Sequence, residues 1–379
     1  MESRLDELDL LRGISVIGMI LVITPGAWGV SYPWLNHADW EGVVAVDMIA
    51  PAFMFCIGFA IPLSLKNRIA QSFSTSKIAL QIIRRGGLLV LLGVFINWTG
   101  SADLASLRLP GVLQRIGVTF IAVSLLVLFV GRKSDCFAPS IKQLFVITFV
   151  LLTAAWLLFY LVPVPGGQAN EFGPVNSWAS VIDRSVFSVA HMWEWGQTNG
   201  VVTYDPDGIM CSVTTCANVL FGTILGVMYQ QKNIHYTKRK LIVFGVALIA
   251  LGLAFSFVCP IIKKIWTSSF VLVSSGVSVI AFVILWSIKT HPFVNRLLHP
   301  AYAYGANALF GFTVSWLGLF WFLDLSLFGE LSLRTAGFNA LNAVFESKAM
   351  ASLMFALVFI ALLYAVLAFM NYKRWYVRL

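Results

Sequence analysis

The chain has 379 residues, of which 59% are hydrophobic and 11% are charged, and its formal net charge is +9 at pH 7. Soluble domains carry about 25% charged residues, so this composition excludes an ordinary soluble protein and predicts an integral membrane protein. The basic residues are spread along the chain rather than gathered on one exposed face. We therefore interpret the positive charge as a result of membrane topology and expect no nucleic-acid partner.

Ten apolar stretches are long enough to predict membrane-spanning helices, because a span needs about 20 apolar residues. In chain order they cover residues 9–28, 42–65, 78–98, 112–131, 143–163, 208–229, 240–259, 267–288, 301–323 and 349–370. The predicted fold class is all-α: a polytopic transmembrane helix bundle of about ten spanning helices. No linker interrupts it, so we expect a single domain over residues 1–379.

Lysine and arginine residues predict the orientation of this bundle. When the N-terminus is placed inside, most of the 26 basic residues fall on the cytoplasmic side, as the positive-inside rule requires. An even number of spans then places both termini in the cytoplasm, and we expect a bacterial inner-membrane protein in contact with lipid. The spacing of Gly222 and Gly226 permits close helix approach and is compatible with a homodimer.

The first predicted outer loop carries the most informative residues. His37 lies at the expected membrane surface, and Asp47 follows among apolar neighbours. Histidine suits proton transfer near neutral pH, and a carboxylate inside a membrane segment is costly and indicates function. We interpret the pair as the chemical centre. The alternative is that His37 is an ordinary interfacial histidine.

Charged residues also recur at the predicted cytoplasmic end. Asp9 and Arg12 are three residues apart and share one face of the first helix. Arg84 and Arg85 lie about two turns into the third helix. Paired guanidinium groups at this depth indicate either a site for phosphate groups or contacts with lipid headgroups.

At the outer end, Arg115 lies about one turn into the fourth predicted helix, and Asp207 precedes the sixth. An arginine at this depth must be paired or face water, so Asp47 or a ligand is its expected partner. A structural ion pair with Asp47 is as plausible as a direct role. Asp207 is equally well explained as the N-cap of a helix.

Two outer segments could form the walls of a site. Residues 164–207 make a long extracytoplasmic loop with three tryptophans, Trp178, Trp193 and Trp195. Loops of this length are usually functional or disordered, and the aromatic residues argue for order. The second segment, residues 324–348, carries Asp324, Glu330, Arg334 and Glu346.

An anion site on one side and a histidine on the other suggest a long ligand that lies through the bundle. A coenzyme A thioester fits this pattern, because its phosphates would stay at the cytoplasmic end. Its slender arm would then carry the reactive carbonyl across much of a hydrocarbon core of about 30 Å.

A series of short motifs occurs in a fixed order over about residues 4–310. They read Leu8-Asp9-Leu10-Leu11-Arg12-Gly13, His37-Ala38-Asp39-Trp40-Glu41-Gly42 followed by Asp47, Pro51-Ala52-Phe53-Met54-Phe55-Cys56-Ile57-Gly58, Arg108-Leu109-Pro110-Gly111-Val112-Leu113-Gln114-Arg115, Asp205-Pro206-Asp207-Gly208 and Gly305-Ala306-Asn307-Ala308-Leu309. Together they resemble the heparan-α-glucosaminide N-acetyltransferase family and its bacterial relatives within the transmembrane acyltransferase superfamily.

The resemblance implies transfer of an acetyl group from cytoplasmic acetyl-CoA, as co-substrate and without a metal, to the amino group of a glucosamine-type sugar or glycan on the outer side. His37 matches the family's active-site histidine, which acts as a general base or as an acetyl carrier, with Asp47 or Asp39 orienting the ring. With the motifs we assign Arg12, Arg84, Arg85, Gln114 and Arg115 to acetyl-CoA, and Trp40, Asp207 and Asn307 to the acceptor. Ile23 departs from the family pattern, because relatives usually have an asparagine there.

Two other functions remain open at this stage. The chain could be a permease for an amino sugar or oligosaccharide, although it shows no inverted repeat of the kind many transporters carry. It could also be an O-acyltransferase that modifies an envelope polysaccharide.

Overall fold

The computed structural model describes residues 5–71, 73–132, 137–232, 236–318, 323–324, 326–328 and 331–377. Glu330, one of the predicted wall residues, lies outside these ranges. Helices dominate, and they run in chain order as follows: α1 Asp6–Ile23, α2 Ile49–Ala70, α3 Thr75–Ser101, α4 Val112–Gly131, α5 Ile141–Leu161, α6 Trp178–Phe187, α7 Ile209–Gln230, α8 Lys238–Phe255, α9 Ser268–Ile288, α10 Pro292–Leu297, α11 His299–Ala306, α12 Ala308–Gly318, α13 Leu333–Val344 and α14 Lys348–Tyr372.

The remaining regular elements are short. Single 3-10 turns occur at Pro33–Leu35, Ala45–Met48 and Val189–His191. Two antiparallel hairpins pair β1 (Gln197–Thr198) with β2 (Val201–Val202), and β3 (Ser326–Phe328) with β4 (Leu331–Ser332). The predicted all-α class is therefore confirmed, and the long loop 164–207 is ordered around α6 and the first hairpin.

Seven helices of the described residues are long and apolar enough to cross a membrane. They are Ala45–Ala70, Thr75–Gly100, Val112–Gly131, Ile141–Leu161, Ile209–Gln230, Ser268–Ile288 and Lys348–Tyr372. This set indicates an integral, multi-pass membrane protein. Two other predicted spans begin with charged residues: α1 starts at Asp6, Glu7 and Asp9, and α8 starts at Lys238, Arg239 and Lys240. The count of about ten spans and the cytoplasmic termini stay predictions.

The ninth predicted span, 301–323, is not one continuous helix. It divides into α11 and α12, and Asn307 at the break leaves helical geometry with ψ near 43°. A second difference concerns Asp47, which was expected one turn inside a helix. The structure places it in the 3-10 turn Ala45–Met48, just before α2 begins. The apolar run alone could not reveal that its first turn has a different hydrogen-bonding pattern.

The chain divides into two compact units. Among the described residues, the first comprises 5–38, 44–53 and 281–377, and the second comprises 39–43 and 54–280. The chain therefore enters each unit more than once.

In the first unit, α1 and α11 approach each other through glycines. A Cβ added to Gly13 would lie 1.8 Å from the Ala301 carbonyl oxygen, and one added to Gly305 would lie 2.0 Å from that of Asp9. Any larger residue would force the two backbones apart. Val16 and Tyr304 belong to the buried core beside this crossing. The first and last motifs of the sequence are thus two sides of one helix contact.

In the second unit, the glycines of α7 serve the same purpose. A Cβ on Gly222 would lie 2.0 Å from the Phe55 carbonyl oxygen, and one on Gly226 would lie 2.4 Å from that of Phe59. Both carbonyls belong to α2, where Gly58 reciprocates with a Cβ position 1.8 Å from the Val219 oxygen. These small residues therefore pack two helices of one chain. The homodimer stays a prediction, without support from this motif.

Candidate active site

The central feature of the first unit is a histidine–aspartate pair. His37 Nδ1 lies 2.7 Å from Asp47 Oδ1. The Asp47 side chain is fully buried, whereas 39% of the His37 side chain is exposed. When Nδ1–H donates to the carboxylate, the neutral ring carries its lone pair on Nε2. The arrangement can accept a proton or attack an electrophile, with the carboxylate stabilising the resulting imidazolium.

Local backbone geometry fixes Asp47 in this role. Its second oxygen, Oδ2, accepts a hydrogen bond from the Val44 amide at 2.9 Å and one from the Ala38 amide at 3.4 Å. The 3-10 turn therefore presents one carboxylate oxygen to the backbone and the other to the imidazole. A buried carboxylate requires such partners, because an unpaired one is costly. Asp47, one of the two predicted orienting residues, makes the contact with His37.

His37 lines a cavity of about 240 Å³ within the first unit. Its walls come from the end of α1, the loop that follows, and the start of α14, with Leu21, Val22, Pro25, Ala27, Trp28, Gly29, Ser31, Leu35, Asn36, Ala349, Ser352, Leu353 and Ala356 as the other lining residues. The loop is anchored on α14, since the Ala27 amide lies 3.4 Å from the Ser352 hydroxyl. Sequence reasoning assigned α14 only a spanning role, and a hydrophobic run gives no sign of the cavity beside it.

Trp28 forms an aromatic wall of this cavity. Its side chain is 61% exposed, and the Arg334 guanidinium lies 5.3 Å from the centre of its ring. Arg334 is itself buried and pairs with Asp324, with Nε 3.1 Å from Oδ1. Arg334 of the second segment, residues 324–348, thus contacts Trp28, but no described residue of that segment lines the cavity, so its role as a wall stays a prediction. Trp28 itself was missed, because one tryptophan after Pro25-Gly26 resembles many interfacial tryptophans.

The position of the family asparagine is occupied by Ile23, the last residue of α1. The neighbouring Thr24 is fully buried, and its hydroxyl donates to the Ile20 carbonyl oxygen at 2.7 Å. That hydroxyl therefore satisfies the helix end. It is therefore not available to take the place of the family's side-chain amide.

Asp39 and Trp40 lie in the second unit. Asp39 is exposed, and its backbone carbonyl accepts a hydrogen bond from Lys264. Trp40 Nε1 donates to the Phe172 carbonyl at 2.9 Å, and the ring meets Tyr204 edge to face at 5.0 Å. These contacts anchor the outer loop. Trp40 was assigned to the acceptor, but its indole N–H is already used within the protein.

A cluster of arginines and aspartates lies in the second unit, around the starts of α4 and α7; we define it as Arg108, Arg115, Asp183, Asp205 and Asp207. Arg108 binds Asp205 through two nitrogens, Nε at 2.9 Å and Nη2 at 2.6 Å, and also reaches Asp207 at 3.0 Å. Arg115 pairs with Asp207 at 2.8 Å. Burial lowers the pKa of Arg108, but the two aspartates outweigh it and raise that pKa above its ordinary value.

The cluster corrects two expectations. The structure pairs Arg115 with Asp207, whereas the sequence suggested Asp47 or a ligand, because order along the chain does not reveal which carboxylate folds back. Arg115 is buried, and its guanidinium lies 4.2 Å from the centre of the Trp266 ring. Asp207 is not the N-cap of α7 either. That position belongs to Gly208, and the Ile209 amide donates instead to Asp183 Oδ1 at 2.8 Å.

Asp183 is the cluster residue that sequence reasoning missed. It is fully buried in α6, and its Oδ2 atom has no hydrogen-bond partner among the described residues. Burial raises the pKa of Asp183 to about 7, and the carboxylates of Asp205 and Asp207 add to the effect, while the Ile209 amide and Arg184 oppose it. A Cβ on Gly208 would lie 1.8 Å from Oδ2. The glycine of the Asp205-Pro206-Asp207-Gly208 motif therefore makes room for this carboxyl group.

Gln114 closes the turn before α4. Its Nε2 donates to the Leu109 carbonyl at 3.1 Å and to that of Pro110 at 3.5 Å. Asn97 binds the same turn from α3, with Nδ2 2.8 Å from the Arg108 carbonyl oxygen. The amide that we assigned to acetyl-CoA thus has a structural use.

The three arginines that were predicted to bind the phosphates of acetyl-CoA, Arg12, Arg84 and Arg85, differ in exposure and in their contacts. Arg12 Nη1 donates to Asp9 at 2.9 Å and to the Gly305 carbonyl at 3.2 Å, so this nitrogen is engaged within the first unit. Arg84 is exposed, and Arg85 lies half-buried with its guanidinium 5.3 Å from the centre of the Phe120 ring. The exposure of Arg84 fits either a phosphate ligand or lipid headgroups, so both interpretations stay open.

Asn307 has a structural partner that the sequence did not indicate. Its Nδ2 donates to the Trp375 carbonyl at 3.1 Å, and its Oδ1 accepts from the Val377 amide at 3.0 Å. Both ends of the side-chain amide therefore hold the C-terminal segment against the break between α11 and α12. The predicted contact with the acceptor has no support from this arrangement.

Comparison with known proteins gives consistent matches. A family described as a domain of unknown function, DUF5009, matches residues 4–173. The chain is 28% identical over 332 residues to heparan-α-glucosaminide N-acetyltransferase of Mus musculus, covering 76% of this chain and 49% of that protein. The corresponding protein of Homo sapiens is 28% identical over 328 residues, covering 75% and 49%.

The chain spans about half the length of the curated relatives it matches. The matches nevertheless cover most of this chain, and they agree with the resemblance seen in the motifs. The chain is therefore related, at the level of a family, to heparan-α-glucosaminide N-acetyltransferase.

Proposed function

We propose that the chain is a membrane-embedded acyltransferase that moves an acetyl group from acetyl-CoA to the amino group of a glucosamine-type sugar. One observation carries the proposal: His37, held at 2.7 Å by the buried Asp47, lines a cavity beside an exposed tryptophan. The relatives named for N-acetyl transfer to a glucosaminide support the choice of reaction and acceptor.

In the direct route, His37 Nε2 removes a proton from the ammonium group of the acceptor. The free amine then attacks the thioester carbonyl, the carbon–sulfur bond breaks, and coenzyme A leaves as a thiolate that takes up a proton. Asp47 stabilises the imidazolium through Nδ1, and general base catalysis of this kind contributes about 10²–10⁴-fold to the rate.

In the covalent route, Nε2 attacks the thioester itself. Coenzyme A leaves first, an acetyl-imidazole forms on His37, and the acceptor amine then displaces the ring. The geometry serves both routes equally. They differ in one measurable property: only the covalent route leaves acetyl on the protein when the acceptor is withheld.

The cavity also suits a sugar acceptor. Trp28 presents an exposed aromatic face, and Ser31, Asn36 and Ser352 supply polar groups around it. A pyranose ring has an apolar face that packs on tryptophan and hydroxyls that need such partners. In the proposed topology the acceptor approaches from the outer side, while Arg84 and Arg85 hold the donor's phosphates at the cytoplasmic end.

Radiolabelled acetyl-CoA provides the test. Purified protein is incubated with acetyl-labelled donor and glucosamine, and labelled N-acetylglucosamine is measured. His37→Ala should abolish the product, whereas the control His291→Ala, which alters another exposed histidine, should leave it unchanged. Omitting glucosamine and counting label on the protein separates the two routes.

The same material tests the alternatives. A permease would move sugar into proteoliposomes without any coenzyme A, and such transport together with no acetyl transfer would refute the proposal. An O-acyltransferase would label an acceptor that offers only hydroxyl groups, such as glucose, as well as it labels glucosamine.

A further inference from the structure

An open groove of about 590 Å³ lies in the second unit, away from the cluster of arginines and aspartates. It runs beside the starts of α5 and α8 and the end of α7. Its lining residues are Ile141, Phe145, Met228, Arg239, Lys240, Leu241, Val243 and Phe244. Six of these residues are apolar and the other two are basic. The groove therefore combines an apolar wall with positive charge.

The apolar wall of the groove is formed by aromatic rings that pack against one another. Phe145 of α5 meets Phe244 of α8 edge to face, with ring centres 5.7 Å apart. Phe149 stacks beside Phe145 at 6.5 Å and meets Phe221 of α7 at 6.2 Å. These interlocked rings fix the groove wall, while Val243 remains 63% exposed. Such a surface offers continuous contact to a hydrocarbon chain.

The basic part sits where cations are electrostatically unfavourable. Lys238, Arg239 and Lys240 are the first three residues of α8, and the first turn of this helix has no acidic residue. A helix N-terminus carries partial positive charge and therefore favours anions. The positive charges of these three side chains are repelled by that partial charge. Arg239 and Lys240 are exposed. An anionic group placed beside Arg239 and Lys240 would be attracted to both positive charges.

From this juxtaposition we propose that the groove binds one anionic phospholipid. Its phosphate lies at Arg239 and Lys240, and one acyl chain lies along Phe145 and Phe244. Basic pockets between transmembrane helices bind lipid headgroups in this way. An apolar wall alone would accept any lipid, but the charges select an anionic one. The site is separate from the proposed reaction and does not depend on it.

Lipid competition tests the headgroup. Detergent-purified protein receives equal amounts of dioleoyl-phosphatidylglycerol and dioleoyl-phosphatidylcholine, which share the same tails, and the bound lipid is counted by native mass spectrometry. Two cationic contacts should favour phosphatidylglycerol by about thirtyfold, and Arg239→Gln or Lys240→Gln should each reduce this preference about fivefold. Arg296→Gln, which removes an exposed charge of α10, is the control and should keep the full preference.

A second variant tests the apolar wall. Val243→Trp fills the groove and should lower binding of both lipids without changing the preference between them. Equal binding of the two lipids to the unaltered protein would overturn the proposal. So would an equal effect of Arg296→Gln. Preferential retention of oleoyl-CoA over phosphatidylglycerol would also overturn it, because the groove would then serve an acyl thioester.

Discussion

Asp183 gives the sharpest prediction about the protein's stability, because its carboxyl group is buried with one oxygen unpartnered. The pKa of this group is about 7 in the folded protein, against an ordinary value of 3.8. The difference corresponds to about 4 kcal/mol of folding free energy. We predict that Asp183→Asn, which keeps the acceptor for the Ile209 amide, removes this pH-dependent cost.

The sign follows from where each state loses its proton. The unfolded chain releases the Asp183 proton near pH 4, whereas the folded protein keeps it until about pH 7. Unfolding is therefore accompanied by proton release in this window, and the folded state loses stability as the pH rises through it. The full cost is present above about pH 7. Between pH 5 and pH 8 the wild type should lose about 3 kcal/mol relative to Asp183→Asn.

Thermal unfolding in detergent measures this difference through tryptophan fluorescence at several pH values. Other titrating groups act equally on both proteins, so the difference between the two curves isolates Asp183. Asp103→Asn serves as the matched control, because Asp103 is exposed and should show no such window. A constant difference between wild type and Asp183→Asn from pH 5 to pH 8 would refute the reasoning, since Asp183 would then be ionised throughout.

Three further predictions concern the site and the helix contacts. Asp47→Asn should lower kcat for acetyl transfer to glucosamine by about 10²–10⁴-fold, because the imidazolium loses its carboxylate. KM for the sugar should not change. A measured kcat within twofold of the wild type would contradict this prediction. Replacing Arg84 and Arg85 together by Gln should raise KM for acetyl-CoA if they hold its phosphates, and unchanged kinetics would assign them to headgroups. Gly305→Ala should lower the Tm at a cost of about 1–3 kcal/mol, since its Cβ would lie 2.0 Å from the Asp9 carbonyl, whereas the open helical site Gly87→Ala should not.

The sequence predicted several long helices closely, because apolar length alone indicates them, although seven rather than ten helices of the described residues are long and apolar enough to cross a membrane. The prediction 112–131 coincides with α4, and 267–288 differs from α9 by one residue. The sequence-based prediction failed where a specific side-chain contact determines the backbone conformation. The break at Asn307 depends on an amide that holds the C-terminal segment, and such a long-range contact leaves no trace in hydropathy.

The sequence indicated which residue types form the site, but not which charged residues pair with each other. His37 and Asp47 stood out because both residue types are rare in apolar surroundings, and the structure joins them. Arg115 stood out for the same reason, yet its partner is Asp207. Asp183 was overlooked because the sequence predicted a loop over residues 164–207, where an aspartate is unremarkable, whereas the structure places it in α6. Its burial arises only when α6 folds against the start of α7.

The motifs that carry the family resemblance divide into two kinds. Gly13 and Gly305 set a helix crossing, and Gln114 closes a turn, so they would be required for folding whatever the protein's reaction. A match at these positions supports a shared fold more directly than a shared chemistry. His37 and Asp47 are different, because a solvent-accessible imidazole bound to a fully buried carboxylate adds nothing evident to helix packing. Acetyl transfer by this chain would therefore depend on this pair, and replacing His37 should abolish it.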